Sequence, residues 1–186
     1  PGLGVSVVGL APDHNVLSQS SQVASLTEAN FPVSRTLRFR DSNLEVISLV
    51  NGPSDFDGVI VDVQGRVLAI WASFAYQSGR DLTQVNMGIP GNLVVDMLAH
   101  MRSETPMHSL DVEWRLMPLA TARKLSLPPE WSRLYEAHNP QRREVLSVSS
   151  AVAGSPAADF FRAGDILLSV NGQTINTFRE LERATQ

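Results

Sequence analysis

Residues 154–172, GSPAADFFRAGDILLSVNG, constrain the fold more than any other stretch of the chain. Gly154-Ser155-Pro156 signals a turn. Ala157, Ala158, Phe160 and Phe161 have the spacing of a short, half-buried helix. Ala163-Gly164-Asp165 stops that helix. Ile166, Leu167, Leu168 and Val170 then predict a short strand, and Asn171-Gly172 is the strongest hairpin signal in the sequence. A turn, a helix, a tight turn, a strand and a hairpin turn in so short a span require a compact α+β unit.

Composition sets the outer limits. The 186 residues have room for one domain or two small ones, and a 43% hydrophobic content can supply a core. A net charge of -4 gives no reason to expect nucleic acid or an anionic membrane surface as a partner. With no cysteine, disulfides, thiolate nucleophiles and thiolate metal sites are excluded. No metal or cofactor is expected. No apolar run approaches the roughly 20 residues that span a bilayer, so no membrane insertion is expected. The chain opens Pro1-Gly2-Leu3-Gly4 without a basic or signal-type segment and enters a strand almost at once. It reads as a piece of a longer protein whose targeting information lies outside it, and no compartment is assigned.

Taken in order, Val5, Val7, Val8 and Leu10 predict a strand, and Ala11 to Asn15 its turn. Val16 to Leu26, rich in Ser and Gln, reads as a half-exposed strand. Residues 27–43 are mixed. Arg35, Arg38 and Arg40 there are either an anion site or, the favoured reading, a solvated face. Leu44 to Val50 is a strand and Asn51 to Asp55 a loop. Gly58–Asp62 and Arg66–Ala75 form a hairpin through Val63-Gln64-Gly65. Tyr76 to Leu82 reads as a polar loop, and Val85, Met87 and Ile89 as a further strand. Pro90 opens a helix at a position where its missing N–H does no harm. Leu93, Val94, Met97, Leu98 and Met101 give that helix an apolar face, with the methionines as packing.

Pro106 marks a break. Leu110 to Met117 then alternates as a strand, Pro118 to Leu127 is a short helix, and Pro128-Pro129 ends it. Residues 130–143 read as irregular. Val145, Leu146 and Val148 form the next strand. Thr177 with Glu180 makes a capping-box pattern, and Phe178, Leu181 and Thr185 share the inner face of the helix that follows.

Two resemblances rest on these residues. Ser155-Pro156-Ala157, Ala163-Gly164-Asp165 and Val170-Asn171-Gly172 resemble the centre of a PDZ domain. The hairpin Val61-Asp62-Val63-Gln64-Gly65-Arg66-Val67-Leu68-Ala69-Ile70 and the helix start Gly88-Ile89-Pro90-Gly91-Asn92 resemble the second barrel of an HtrA/Deg-type serine protease. The resemblance implies a mainly β fold with α. A chymotrypsin-like C-terminal barrel would span residues 1–104, followed by an incomplete α+β PDZ domain over 105–186, truncated at its C-terminal end. It is similar to the long Deg-type proteins that carry a degenerate protease domain behind an active one.

In that family Gly-Asn-Ser-Gly-Gly-Pro precedes the hairpin. Aligning on Asp62 places Phe56 at the nucleophilic serine, Asp57 at the first following glycine, Gly58 at the second and Val59 at the proline. Phe56 offers no nucleophile. Asp57 lacks glycine's freedom and would set a negative charge beside a developing oxyanion. Ser54 is the weak alternative, and no glycine follows it. His14, His100, His108 and His138 lack the Ala-Ala-His context, which belongs to the first barrel. The expectation is a chain with no catalytic residues of its own. The alternative is an active serine endopeptidase whose His and Asp lie in an upstream barrel. A third reading is an interaction domain unconnected with proteolysis.

For the second module the resemblance implies peptide binding at the loop Leu110-Asp111-Val112, at the strand residues Glu113 and Trp114, and along the helix residues Phe178, Leu181 and Thr185. Asp111 stands where the family has glycine, and its carboxylate would repel a peptide C-terminus. Addition of an internal extended segment remains open. The expected partners are an extended peptide or protein segment, a second copy, or the missing upstream barrel. A PDZ module that only packs on its own barrel is the rival reading.

Overall fold

The computed structural model describes residues 1–11, 13–29, 43–78, 81–106 and 108–186. Among these, 1–29 and 44–105 form one compact unit, and Asn43 with 106–186 a second. Arg35, Arg38 and Arg40 lie outside the described residues.

The first unit is a closed antiparallel barrel. Its strands are β1 (Gly4–Leu10), β2 (Val16–Glu28), β3 (Glu45–Val50), β4 (Gly58–Val61), β5 (Val67–Ser78) and β6 (Asp81–Pro90), in the order β1-β2-β3-β6-β5-β4. The alternation in β1 explains its role: Val5 and Val7 point inward at 5% and 0% exposure. They join Ile60, Ala69 and Trp71 in one core cluster. Asp62 builds the β4–β5 turn. Its Oδ1 accepts the backbone N–H groups of Gln64 and Arg66, each at 2.9 Å, and its Oδ2 accepts Arg66 Nε at 2.7 Å. The Arg66 N–H, helped by the guanidinium and the Gln64 N–H, holds this carboxyl below its ordinary range against the opposing effect of burial.

Two expectations for this unit are corrected. Residues 76–78 and 81–82 are strand, not loop: β5 and β6 stay paired from Ala69↔Pro90 to Ser78↔Asp81. The backbone ladder does not depend on apolar side chains, so polarity was a poor guide there. The helix α1 (Gly91–Ser103) forms and leans on β5 and β6, yet none of its residues is buried. Met97, Leu98 and Met101 are 46%, 43% and 72% exposed. The apolar spacing specified a helix without burying its stripe.

The second unit consists of β7 (Val112–Pro118), α2 (Leu119–Lys124), α3 (Pro129–His138), β8 (Glu144–Ala151), the single turn α4 (Ala157–Phe160) and α5 (Phe178–Thr185). Strands β7 and β8 pair antiparallel, with a register shift that leaves Ser149 extra on β8. Two clusters flank this ribbon. One holds Val112, Trp114, Leu146, Val148, Ala157, Ile175, Phe178 and Leu181. The other holds Leu119, Ala122, Leu127, Tyr135 and Val145. The expected irregular segment 130–143 is in large part α3. Pro129 occupies its first turn, where proline initiates a helix instead of ending one. Tyr135 is fully buried, and burial pushes its phenol up to about 12. The hydroxyl donates to the Leu167 and Leu168 carbonyls. Those carbonyls are thereby taken from any ladder, and the expected strand 166–170 reduces to bridges at Ile166 and Val170. The Asn171-Gly172 turn forms as expected, with φ 51° and 77° and paired Val170–Gln173 bonds of 3.0 and 2.9 Å. Ala157 is buried, whereas Phe160 is 79% exposed; Phe161 instead meets Trp114 edge-on at 5.7 Å.

Candidate functional site

The loop before β4 carries Ser54, Phe56 and Asp57, the residues singled out from the sequence. Its backbone is anchored from below: Trp71 Nε1 donates to the Pro53 carbonyl at 3.0 Å, a buried bond. Ser54 and Asp55 are exposed. Phe56 is half-buried and packs on the cluster of Val5, Val7, Ile60, Ala69 and Trp71. It fits closely over β1, since a Cβ on Gly9 would lie 2.7 Å from Phe56 Cδ2. Asp57 accepts the Ser73 hydroxyl at 3.2 Å. The role of Gly58 here is structural. A Cβ there would lie 2.1 Å from the Val8 carbonyl, so only glycine allows β4 to approach β1.

His100 Nδ1 meets Thr105 Oγ1 at 3.2 Å, and His138 Nε2 meets Glu180 Oε1 at 3.0 Å. His14 and His108 are exposed. Among the described residues no hydrogen bond joins Ser54 to a histidine, and no group of three or more His, Asp or Glu could hold a metal. No helix of the described residues is long and apolar enough to cross a membrane.

The second candidate is the loop before β7. Leu110 is 38% exposed. Asp111 has φ 53°, in the left-handed region that favours glycine. Its carbonyl accepts Val152 N–H at 2.8 Å, and its own N–H donates to Ser109 Oγ at 3.2 Å. Glu113 Oε2 accepts Ser150 Oγ at 2.5 Å. Val112, Trp114, Phe178 and Leu181 come together in one cluster, at 2%, 6%, 2% and 4% exposure. Their side chains are thus consumed by the unit's own core. Thr185 turns back on its helix, donating to the Leu181 and Glu182 carbonyls at 3.1 Å.

Helix α5 is fixed by its capping box. Thr177 Oγ1 accepts Glu180 N–H at 3.1 Å, and Glu180 Oε2 accepts Thr177 N–H at 3.2 Å and Asn176 N–H at 3.0 Å. Burial raises the Glu180 pKa, but these bonds and His138 outweigh it, and the net shift is downward. An open cleft of about 490 Å³ beside α5 is lined by His138, Gln173, Thr174, Ile175, Glu180, Arg183 and Ala184.

Sequence reasoning missed Asn43. Its Nδ2 donates to the Val112 carbonyl at 2.9 Å, and its Oδ1 accepts Trp114 N–H at 2.8 Å. A lone asparagine in a mixed segment carries no signal for such a contact.

A closed barrel that ends in an Ile-Pro-initiated helix, with a PDZ unit in the same chain, defines the chymotrypsin-type barrel-plus-PDZ class. A PDZ domain profile matches residues 147–186. Protease Do-like 7 of Arabidopsis thaliana is 32% identical over 207 aligned residues, covering 100% of this chain and 19% of the relative. A PDZ domain-containing protein of Schizosaccharomyces pombe is 28% identical over 96% of this chain and 18% of its own length. A pro-apoptotic serine protease of Meyerozyma guilliermondii is 30% identical over 94% of this chain and 19% of its own. The chain belongs to the HtrA/Deg-like family, and it spans about a fifth of the length of these relatives. The fold agrees with an HtrA-type protease solved with a tripeptide: TM-score 0.50 at 16% identity, covering 98% of this chain and 56% of that one.

Proposed function

We propose that this chain is a non-catalytic part of an HtrA/Deg-like protein, a degenerate protease barrel over 1–104 with a PDZ module over 105–186, and that it acts in peptide binding or assembly. The observation that carries the reading is Phe56. A phenyl ring occupies the nucleophile position and is packed on the barrel core, so both the hydroxyl and the space for it are gone. Peptide binding is supported by Asp111, whose left-handed φ keeps the conformation of a glycine-built loop. The test is covalent labelling with a fluorophosphonate probe. Ser54 is expected to react no faster than in the unfolded chain; labelling well above that control would overturn the reading.

Assembly with a second copy or with an upstream barrel is part of the same proposal. The exposed Met97, Leu98 and Met101 on α1 support it, because helical stripes of this kind are normally covered. Light scattering across a hundredfold dilution is expected to show a mass that falls with concentration. A constant monomer mass would remove the second-copy reading.

A further inference from the structure

The second unit holds another cleft, formed by α2, the turn after it and the first turn of α3. It has a volume of about 490 Å³, opens to solvent, and is lined by Arg123, Leu127, Pro129, Ser132 and Arg133. Leu127, 7% exposed, and Pro129 are its apolar surface. Ser132 adds a polar group that is itself buried, at 4% exposure. Its Oγ accepts Arg123 Nε at 3.2 Å, and among the described residues nothing accepts its hydroxyl proton. A buried hydroxyl normally uses its donor as well as its lone pairs. Arg123 is held by Ser132 and by Glu136, whose Oε1 accepts Nη2 at 2.6 Å, and other guanidinium N–H groups remain over. Arg133 is exposed and has no ion-pair partner among the described residues. Glu136 offsets the charge of Arg123, so the cleft keeps the uncompensated charge of Arg133. Lys124 and Glu130, exposed neighbours of opposite sign, do not line it.

We propose that this cleft docks an extended protein segment through an aspartate or glutamate side chain with an apolar residue beside it. The carboxylate accepts from the Ser132 hydroxyl and from the two guanidiniums, whose planar N–H forks match it. The apolar neighbour covers Leu127 and Pro129. A phosphate, with nearly two negative charges, exceeds the single uncompensated positive charge and leaves the apolar walls bare. A terminal carboxylate needs a wall that ends the chain, whereas an open cleft lets the chain run on at both sides. None of the lining residues belongs to the Leu110-Asp111-Val112 loop or to α5, so the inference goes beyond the function proposed above and does not rest on it.

The test titrates the full chain with a labelled peptide, acetylated and amidated, whose centre is Leu-Glu-Leu among serines and glycines. The control has glutamine at the centre. The glutamate peptide is expected to bind about tenfold more tightly at low salt, and the difference should shrink as salt rises. Arg133→Gln should remove most of that difference. Arg143→Gln changes the charge equally at an exposed residue outside the cleft and should leave it intact. Ser132→Ala is expected to weaken the glutamate peptide about threefold. Glu136→Gln releases Arg123 from its ion pair and is expected to strengthen it about twofold. Equal binding of the glutamate and glutamine peptides overturns the proposal. An equal loss in Arg133→Gln and Arg143→Gln also overturns it, because it marks general charge attraction. A glutamine peptide with a free C-terminal carboxylate that binds through Arg133 more tightly than the glutamate peptide assigns the cleft to chain ends and overturns the proposed occupant. Each of these outcomes leaves the Asp111 loop untouched, since that loop is read separately through Asp111→Gly.

Discussion

Asp57 in the barrel and Asp111 in the PDZ unit stand at equivalent kinds of position. On the function proposed above, each would replace a glycine in a turn that presents N–H groups to an anion. Their backbones differ. Asp111 keeps a φ of 53°, whereas Asp57 is not among the described left-handed residues and uses its carboxylate to accept the Ser73 hydroxyl. A side chain in the left-handed region costs on the order of 1 kcal/mol, so it persists only where neighbours hold it. For Asp111 those neighbours are Val152 N–H and Ser109 Oγ, with β8 behind them. Around Asp57 the loop is held by other means: Phe56 packs on the core cluster, and Ser73 donates to the Asp57 carboxylate. On the function proposed above, one loop would have lost both its chemistry and its geometry, while the other would have changed its charge and kept a left-handed φ.

The sharpest way to break this contrast is to restore the protease residues. Phe56→Ser with Asp57→Gly returns a hydroxyl and a glycine to the signature positions. It also removes a half-buried ring from the core cluster and adds backbone entropy to the unfolded chain. The expected cost is about 3 kcal/mol, measured by denaturant unfolding of the full chain, with no gain in fluorophosphonate labelling. A labelled and undiminished variant would show that the loop had kept catalytic geometry after all.

The same two regions show what sequence can and cannot carry. The β4–β5 hairpin was legible because Asp62 and Gly65 define one turn geometry: Asp62 accepts two backbone N–H groups, and Gly65 reaches φ 76°. That local chemistry anchored the count back to Phe56. The Asn171-Gly172 turn was legible for the same reason. The fate of Val112, Trp114, Phe178 and Leu181 was not. Their alternation and helical spacing say only that one face is buried, and burial by the unit's own core and burial by a ligand leave the same pattern. Segment 166–170 failed differently. Its residues suit a strand, but Tyr135 competes for its carbonyls from α3, a helix hidden by the Pro128-Pro129 pair.

A second difference between the units lies in their pH limits. Asp62 in the barrel and Glu180 in the PDZ unit both have lowered pKa values, so each stabilises above the ordinary carboxylate range. Both contributions are lost as pH falls through the folded-state value, and both units are expected to weaken in acid. Tyr135 acts in the opposite sense and in one unit only. Its phenol is raised from 10.0 to about 12, so its contribution is complete below pH 10 and is lost as pH rises toward 12. The PDZ unit is expected to lose on the order of 1 kcal/mol by pH 11, read as faster amide exchange at Val148. Tyr135→Phe should abolish that alkaline limb at the cost of weaker stability at neutral pH. An alkaline limb that survives the substitution would assign it to another group.

The smallest expected effect is the most direct test of the kept geometry. Asp111→Gly removes a Cβ from a left-handed position and is expected to be neutral or stabilising, by up to about 1 kcal/mol. It also removes a carboxylate from the loop that would face a peptide C-terminus. Affinity for a hydrophobic-ended peptide with a free carboxylate is expected to rise about fivefold at low salt and less at high salt. Asp111→Ala separates the two causes, because it removes the charge and retains the Cβ. It should gain the affinity and lose stability. Asp57→Gly supplies the contrast from the barrel: no left-handed strain is relieved there, the Ser73 bond is lost, and stability should fall by about 0.5–1 kcal/mol. If Asp111→Gly and Asp57→Gly change stability alike, the left-handed geometry at Asp111 is not what distinguishes the loops. If Asp111→Gly leaves the free-carboxylate peptide unaffected, Asp111 does not face the ligand, and the carboxylate loop has been misplaced within the PDZ unit.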